Sequence, residues 1–358
     1  MTDNTLMARL GLRHPIFGFA HSVDVVCALA EAGCIGIYGA TRDTPEEIAE
    51  RLTLIRRRVG DKPFGVDLVL PRGMPATADK RAVEAELPEG HKAFVQHLYD
   101  KYQVPPASGP GMRSRFLRSE EIAERQIAAV LAADVDLFAC GIGAPPDVVA
   151  QARADGKLTA ALIGSPRHAR MALDAGVDLI VAQGHDAGGH TGPIGTFTLV
   201  PQIVDLAGEV PVLAAGGVAT GRHIAAALAM GAQGVWTGSL WLGTAEHQMG
   251  PKLRAKLLAA GSEDTVVSRS DSGKTMRMIR SAWSDEWDAP DAPKPLPMPH
   301  HDILIGDLLG AVTEHEVEPL LHYPAGQSIA FVNELRPVAA VVAELVTETE
   351  RAMRRLSR

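Results

Sequence analysis

The feature that most constrains this chain is a repeated alternation of a short apolar, β-branched run, a glycine-bearing turn and an amphipathic helical pattern. Strands separated by helices predict parallel βαβ units, because a parallel pair needs a crossover of about a dozen residues or more and a helix supplies it. The runs at 15–19, 34–38, 64–70, 136–140, 158–163, 178–182, 210–214 and 234–237 read as strands. Eight such units, at steps of about 20 to 30 residues over most of the chain, predict an α/β protein of the (β/α)8 TIM-barrel class. The helices carry their own punctuation. Thr44-Pro45-Glu46-Glu47 offers a cap, a first-turn proline and first-turn carboxylates, while Thr220 opens a helical pattern that Gly231 stops.

Two stretches exceed what one crossover needs. Residues 71–118 place a helical pattern around 89–102 between the flanks PRGMPATADK and VPPASGPGMRSR, and read as a lid or a substrate-facing insertion. Beyond about Gly250 a proline-rich run leads into helical patterns at 302–313 and 337–356. Residues 1–250 are thus expected to form the barrel, insertion included, with 251–358 a helical extension packed on it.

Composition narrows the partners. With 46% hydrophobic residues in 358, the chain can bury a large core. A formal net charge of -8 and the lack of any long basic run argue against a nucleic-acid partner. No apolar stretch reaches the roughly 20 residues of a membrane span, and the N-terminal residues lack an apolar signal-peptide core, so a cytosolic location is expected. Cys27, Cys34 and Cys140 form no CxxC pair and lie in apolar surroundings, as buried thiols do.

Glycine-rich turns follow the last three expected strands, at the end where barrel enzymes build their active sites. The sixth-strand turn is Gln183-Gly184-His185-Asp186-Ala187-Gly188-Gly189-His190-Thr191-Gly192. The seventh is Ala215-Gly216-Gly217-Val218, ahead of the helix start at Thr220, and the eighth is Trp236-Thr237-Gly238-Ser239. Free amides at such turns bind phosphate, so Gly216, Gly217, Gly238 and Ser239 form an expected phosphate cradle. The same glycines would also serve simple tight turns. His190 is a candidate general base. His185 is weighed between pocket and structural roles, and His168, His223 and His322 are expected on helix or loop surfaces. His185, Asp186 and His190 have no further Cys or His at ligand spacing, so no metal is expected.

The string QGHDAGGHTG resembles the signature of the nitronate monooxygenases, formerly called 2-nitropropane dioxygenases, and LAAGGVATGRHIAAALAMGAQGVWTGSLWLGTAEH resembles that family's flavin-phosphate segment. Weaker similarity runs through HPIFGFAHSVDVVCALAEAGCIGIYGA, KPFGVDLVLP and LHYPAGQSIA, and so covers nearly the whole chain. The resemblance implies an FMN cofactor and oxidation of alkyl nitronates, or of nitroalkanes after loss of an α-proton, by O2 to a carbonyl compound and nitrite. It places His190 on the catalytic histidine. It places Gln183, Gly188, Gly217 and the stretch Trp236, Thr237, Gly238, Ser239 on flavin contacts and Asp67 beside the flavin ring; Gly189 and Gly216 are expected to join the cofactor contacts, and His21 and His185 to line the substrate pocket. Three positions depart from the pattern: Gly18-Phe19-Ala20-His21-Ser22 replaces a Pro-Met-Ala run, Asp67 stands where the family has Asn, and Asp186 replaces Glu. The expected partners are a small-molecule substrate and O2, and the sequence leaves monomer and homodimer open. Competing activities are an NAD(P)H-dependent enoyl-acyl-carrier-protein or quinone reductase. From a different class comes a non-redox isomerase or lyase that holds substrate phosphate in the same cradle.

Overall fold

The computed structural model describes residues 5–70, 73–76 and 79–357. Its strands are β1 (Ile16–Ala20), β2 (Ile35–Gly39), β3 (Phe64–Val69), β4 (Leu137–Gly141), β5 (Leu158–Ile163), β6 (Leu179–Gln183), β7 (Gly189–His190), β8 (Val212–Ala215), β9 (Gly234–Thr237), β10 (Thr265–Ser268) and β11 (Met276–Ile279). Eight of them close a parallel barrel in the order β1-β2-β3-β4-β5-β6-β8-β9, with β9 pairing back onto β1. Each of the eight lies within two residues of its expected range at either end. The runs are nearly all apolar rather than alternating because both faces are covered, by the lumen inside and by helices outside.

Phe17, Ile35, Ile37, Leu137, Leu158, Leu179, Val181, Leu213 and Trp236 fill the lumen, joined by Leu6, Leu10 and Leu12 from the segment ahead of β1. The lumen is a packed core, so chemistry is confined to the end where the strands finish. The crossover helices start as their sequences dictate. Thr44 accepts from the Glu47 amide at 3.2 Å while the Glu47 carboxylate accepts from the Thr44 amide at 2.8 Å. Ser119, Ser165 and Thr220 cap three more starts through their hydroxyls.

The insertion contains two helices, Lys80–Glu86 and Glu89–Lys101, of which the sequence pattern resolves the second. Pro71, Arg72, Thr77 and Ala78, part of the flank PRGMPATADK, lie outside the described residues. The extension supplies helices His300–Glu314 and Val338–Leu356 close to their expected places. It also supplies β10 and β11, which the sequence pattern does not resolve. They form an antiparallel pair that takes up β7 as a third strand, matching Met276 to His190 and Arg277 to Gly189. The extension thereby reaches the sixth-strand turn itself. Among the described residues no helix is long and apolar enough to cross a membrane.

Candidate active site at the barrel mouth

Gln183 closes β6 and donates from Nε2 to the His190 carbonyl at 2.9 Å, bracing the turn across its base. Asp186 caps the helix Thr196–Ala207, accepting from the Thr196 amide at 2.8 Å, and its own carbonyl accepts from the Gln327 amide at 2.9 Å. Gly188 is required by close approach: a Cβ there would lie 2.7 Å from backbone atoms of Ala325 and Gly326. His185 is tied within its own turn, with Nδ1 2.9 Å from the Gly192 carbonyl, and its backbone carbonyl accepts from Arg277 at 3.1 Å.

The His190 ring takes no part in this bracing. Its backbone is held in β7, and its Nδ1 donates to the Thr275 carbonyl at 3.2 Å, a bond that selects the tautomer with the lone pair on Nε2. Burial lowers its pKa from the ordinary 6.5, outweighing the Thr275 carbonyl and the Asp271 charge that act to raise it. The imidazole is therefore neutral at pH 7 and able to accept a proton at Nε2.

Next to this turn on the rim, Gly216 and Gly217 follow β8, the barrel neighbour of β6, with φ of +94° and +72°. The helix start beyond them, Gly221–Ala229, was expected to offer free amides, but its donors are already engaged. His223 Nδ1 accepts from the Ala219 and Thr220 amides at 3.3 and 3.2 Å, and Glu348 of the last helix accepts from the Gly221 amide at 2.9 Å. No hydrogen bond within the described residues takes the amides of Gly216, Gly217, Gly238 or Ser239, the last of which opens the 3-10 helix Ser239–Gly243. Ser239 Oγ accepts from the Gly326 amide at 2.8 Å. A Cβ on Gly238 would meet only Phe19, at 3.9 Å. These four free amides, with open space beside Gly238, fit a phosphate monoester.

Trp236 points into the lumen and stacks near Phe19, ring centroids 6.2 Å apart. The Thr237 hydroxyl is spent between the Phe17 carbonyl at 3.3 Å and Trp241 Nε1 at 3.0 Å, locking β9 to β1. Asp67 and His21 flank Gly39: Asp67 is its register partner, and His21 Nδ1 lies 2.8 Å from its carbonyl. His21 also meets Phe19 edge-on at 5.1 Å, and burial lowers its pKa. Next to it is His247, which the sequence reading missed; burial, then the His21 charge, lowers it to about 4, and its Nδ1 is buried without a partner.

Asp67 is 4% exposed, and its Oδ2 has no hydrogen-bond partner. Burial raises its carboxyl from 3.8 to about 7. Because the folded value lies above the ordinary one, its contribution to stability is most favourable below pH 3.8, weakens from there upward and is lost above about pH 7. Asp67→Asn should therefore stabilise the flavin-free protein more at pH 8 than at pH 5, by roughly 2 to 3 kcal/mol in denaturant unfolding. An equal gain at both values would mean that Asp67 does not titrate there.

A largely buried charge network joins the insertion to the extension. Arg42 bonds both oxygens of Asp302, at 3.1 and 3.2 Å, and Arg113 bridges Asp302 at 3.0 Å and Asp271. His322 Nε2 lies 3.1 Å from Asp271, and its ring stacks on Trp283 at 5.6 Å. His322 was expected on a surface, but its side chain is 6% exposed, because Trp283 covers one face of the ring and Asp271 meets its edge. Burial alone would raise Asp271, but Arg113, His322 and Arg42 hold it well below the usual carboxylate range. The sequence signal for this network was only the arginine-rich MRSRFLR run, whose partners are remote in the chain.

A parallel barrel with a neutral histidine, a buried carboxyl and an amide-lined rim gathered at one mouth is the architecture of a barrel enzyme that binds a phosphate-bearing cofactor. Residues 7–348 match the family model described as nitronate monooxygenase, and the chain belongs to that family; it is a flavin oxidoreductase. It is 43% identical over 355 residues to a Mycobacterium tuberculosis protein described as a monooxygenase, covering 95% of this chain and 94% of that one. Among solved structures it is similar to the nitroalkane oxidase of Streptomyces ansochromogenes, with a TM-score of 0.82 at 24% identity, covering 98% and 99% of the two chains. It is also similar to FabK of Thermotoga maritima, with a TM-score of 0.77 at 25% identity, covering 100% and 99%.

Proposed function

We propose that this chain oxidises alkyl nitronates, and nitroalkanes after removing their α-proton, with O2 through FMN, giving a carbonyl compound and nitrite. The observation that carries the reading is the state of His190, a neutral imidazole with its Nδ1 proton committed to Thr275 and its Nε2 lone pair free. Such a group removes the α-proton of a neutral nitroalkane, the one step that a preformed nitronate does not need. The amides of Gly216, Gly217, Gly238 and Ser239 would hold the FMN phosphate, and Asp67, Gln183 and Trp236 would border the flavin ring. FMN, when bound, supplies the redox chemistry. The protonated form of Asp67 would offer that ring a hydrogen-bond donor where the family has an amide.

The test is the visible spectrum of purified protein under anaerobic conditions. Addition of an alkyl nitronate should bleach the flavin bands and readmission of air restore them, with NAD(P)H leaving them intact. Bleaching by NAD(P)H and not by nitronates would replace this reading with an enoyl-acyl-carrier-protein or quinone reductase. Protein that stays colourless after FMN addition would favour a non-redox isomerase or lyase.

A further inference from the structure

The MRSRFLR run sends three arginines inward, and two of them find carboxylates. Arg113 reaches Asp271 and Asp302, and Arg115 grips both oxygens of Glu47, at 2.8 and 2.7 Å. Arg118 finds none. It is 8% exposed, and its one hydrogen bond within the described residues runs to the Val69 carbonyl at the end of β3. A guanidinium carries five donors, so most of its capacity is unused.

Lys274 stands close by and also lacks a carboxylate. It immediately precedes Thr275, whose carbonyl holds His190, and the Arg118 charge is near enough to lower its pKa after burial has done so. The local count is uneven. Among the described residues Arg42, Arg113, Arg118 and Lys274 have only Asp271 and Asp302 as carboxylates around them, so arginine and lysine outnumber the acids by two. Uncompensated charge away from water is costly, and a fold that keeps Arg118 buried beside a half-buried Lys274 at its working end gains if an anion completes the set.

We infer that Arg118 and Lys274 form a receptor for a phosphate group carried by the molecule that enters the barrel mouth beside His190. A phosphate ester carries about two negative charges at neutral pH, enough to balance the excess, whereas a carboxylate supplies one. Arg118 contributes a planar fork for two oxygens and Lys274 a point charge. This receptor is separate from the flavin cradle. Val69 ends β3, which lies four places around the eight-stranded ring from β8, so the two anion sites face each other across the mouth. The phosphate belongs either to the oxidised substrate or to a nucleotide that visits the same mouth. The inference rests on the mouth being the reaction site, as proposed above, but not on nitronates being the substrate.

Thermal melting of the flavin-loaded protein with inorganic pyrophosphate, at constant ionic strength, tests the receptor directly. The wild type should be stabilised saturably. Arg118→Met should weaken the apparent affinity by about 10- to 100-fold, the loss expected for a hydrogen-bonded charge contact, with Arg118→Lys in between. Flavin content, read from the visible spectrum, should be the same in all three. No saturable shift in the wild type, an equal shift in Arg118→Met, or loss of flavin from that variant would overturn the receptor. Two arms then assign the source. If the substrate carries the phosphate, Arg118→Met lowers the kcat/KM ratio of a phosphate-terminated to a methyl-terminated alkyl nitronate by about 10- to 100-fold. If a nucleotide carries it, the variant instead loses affinity for NADPH relative to NADH. A wild type that oxidises no nitronate would sink the proposed function and leave the pyrophosphate result standing.

Discussion

Replacing His190 by asparagine is expected to lower turnover of a neutral nitroalkane by about 10² to 10⁴, the usual contribution of a positioned general base. Turnover of the preformed nitronate should fall much less, because its carbon-bound proton is already gone. The asparagine keeps a polar group near the Thr275 carbonyl, and β7 is held through backbone pairing to β11, so the turn should survive. Bound flavin should stay near stoichiometric, since the amides assigned to its phosphate belong to other turns. The pH profile adds a signature. With the His190 pKa lowered by burial from 6.5, kcat/KM for the neutral substrate should decline toward acid only below that value, and the variant should lose this limb. Equal rates on both substrates, or a variant that loses its flavin, would return His190 to a structural member of the turn.

Gly238→Val should yield protein that folds yet retains less than about a tenth of the wild-type flavin, read from the ratio of visible to ultraviolet absorbance. The expected loss is steric. The backbone of Gly238, at φ -126° and ψ -63°, lies outside the main α and β regions and strains a valine, but its φ is negative and the new Cβ would meet only Phe19 at 3.9 Å, so the folded chain tolerates it. The branched side chain would then occupy the space between the free amides, where a phosphate has to approach the backbone. Losing two charge-assisted amide contacts, each about 1.5 to 3 kcal/mol, is enough to strip the cofactor during purification. Gly217→Val is the harsher companion, because a φ of +72° is strained for any branched residue. Full flavin content in Gly238→Val would move the phosphate elsewhere.

The eight barrel strands were legible because each is short, apolar and bounded by a helix start or a glycine turn, all of which are local properties. Thr44 with Glu47 and Thr220 with its downstream glycine were legible for the same reason. β10 and β11 left a fainter mark, the β-branched TVVS run and the Ser272-Gly273 turn, hidden within a proline-rich region that reads as loop and helix. The glycine-rich turns were recognisable as a mouth, but their glycines divide in the folded chain. Gly188 makes room for Ala325 and Gly326, whereas Gly217 and Gly238 leave amides free. Composition cannot separate these two uses, since both need a missing side chain.

The barrel could be read from the sequence, and His190 singled out as a candidate, because periodicity, caps and turn composition are written within a few neighbouring residues. Only the tertiary structure decided which amides stay free, which tautomer His190 holds and which cations remain unpaired. Arg113 meets Asp271 across 158 residues, Arg42 meets Asp302 across 260, and Glu348 silences the Gly221 amide across 127. A side chain's charge state and spare donors depend on what is packed against it, and here the packing partners come from the insertion and the extension, far along the chain from the strands they cover.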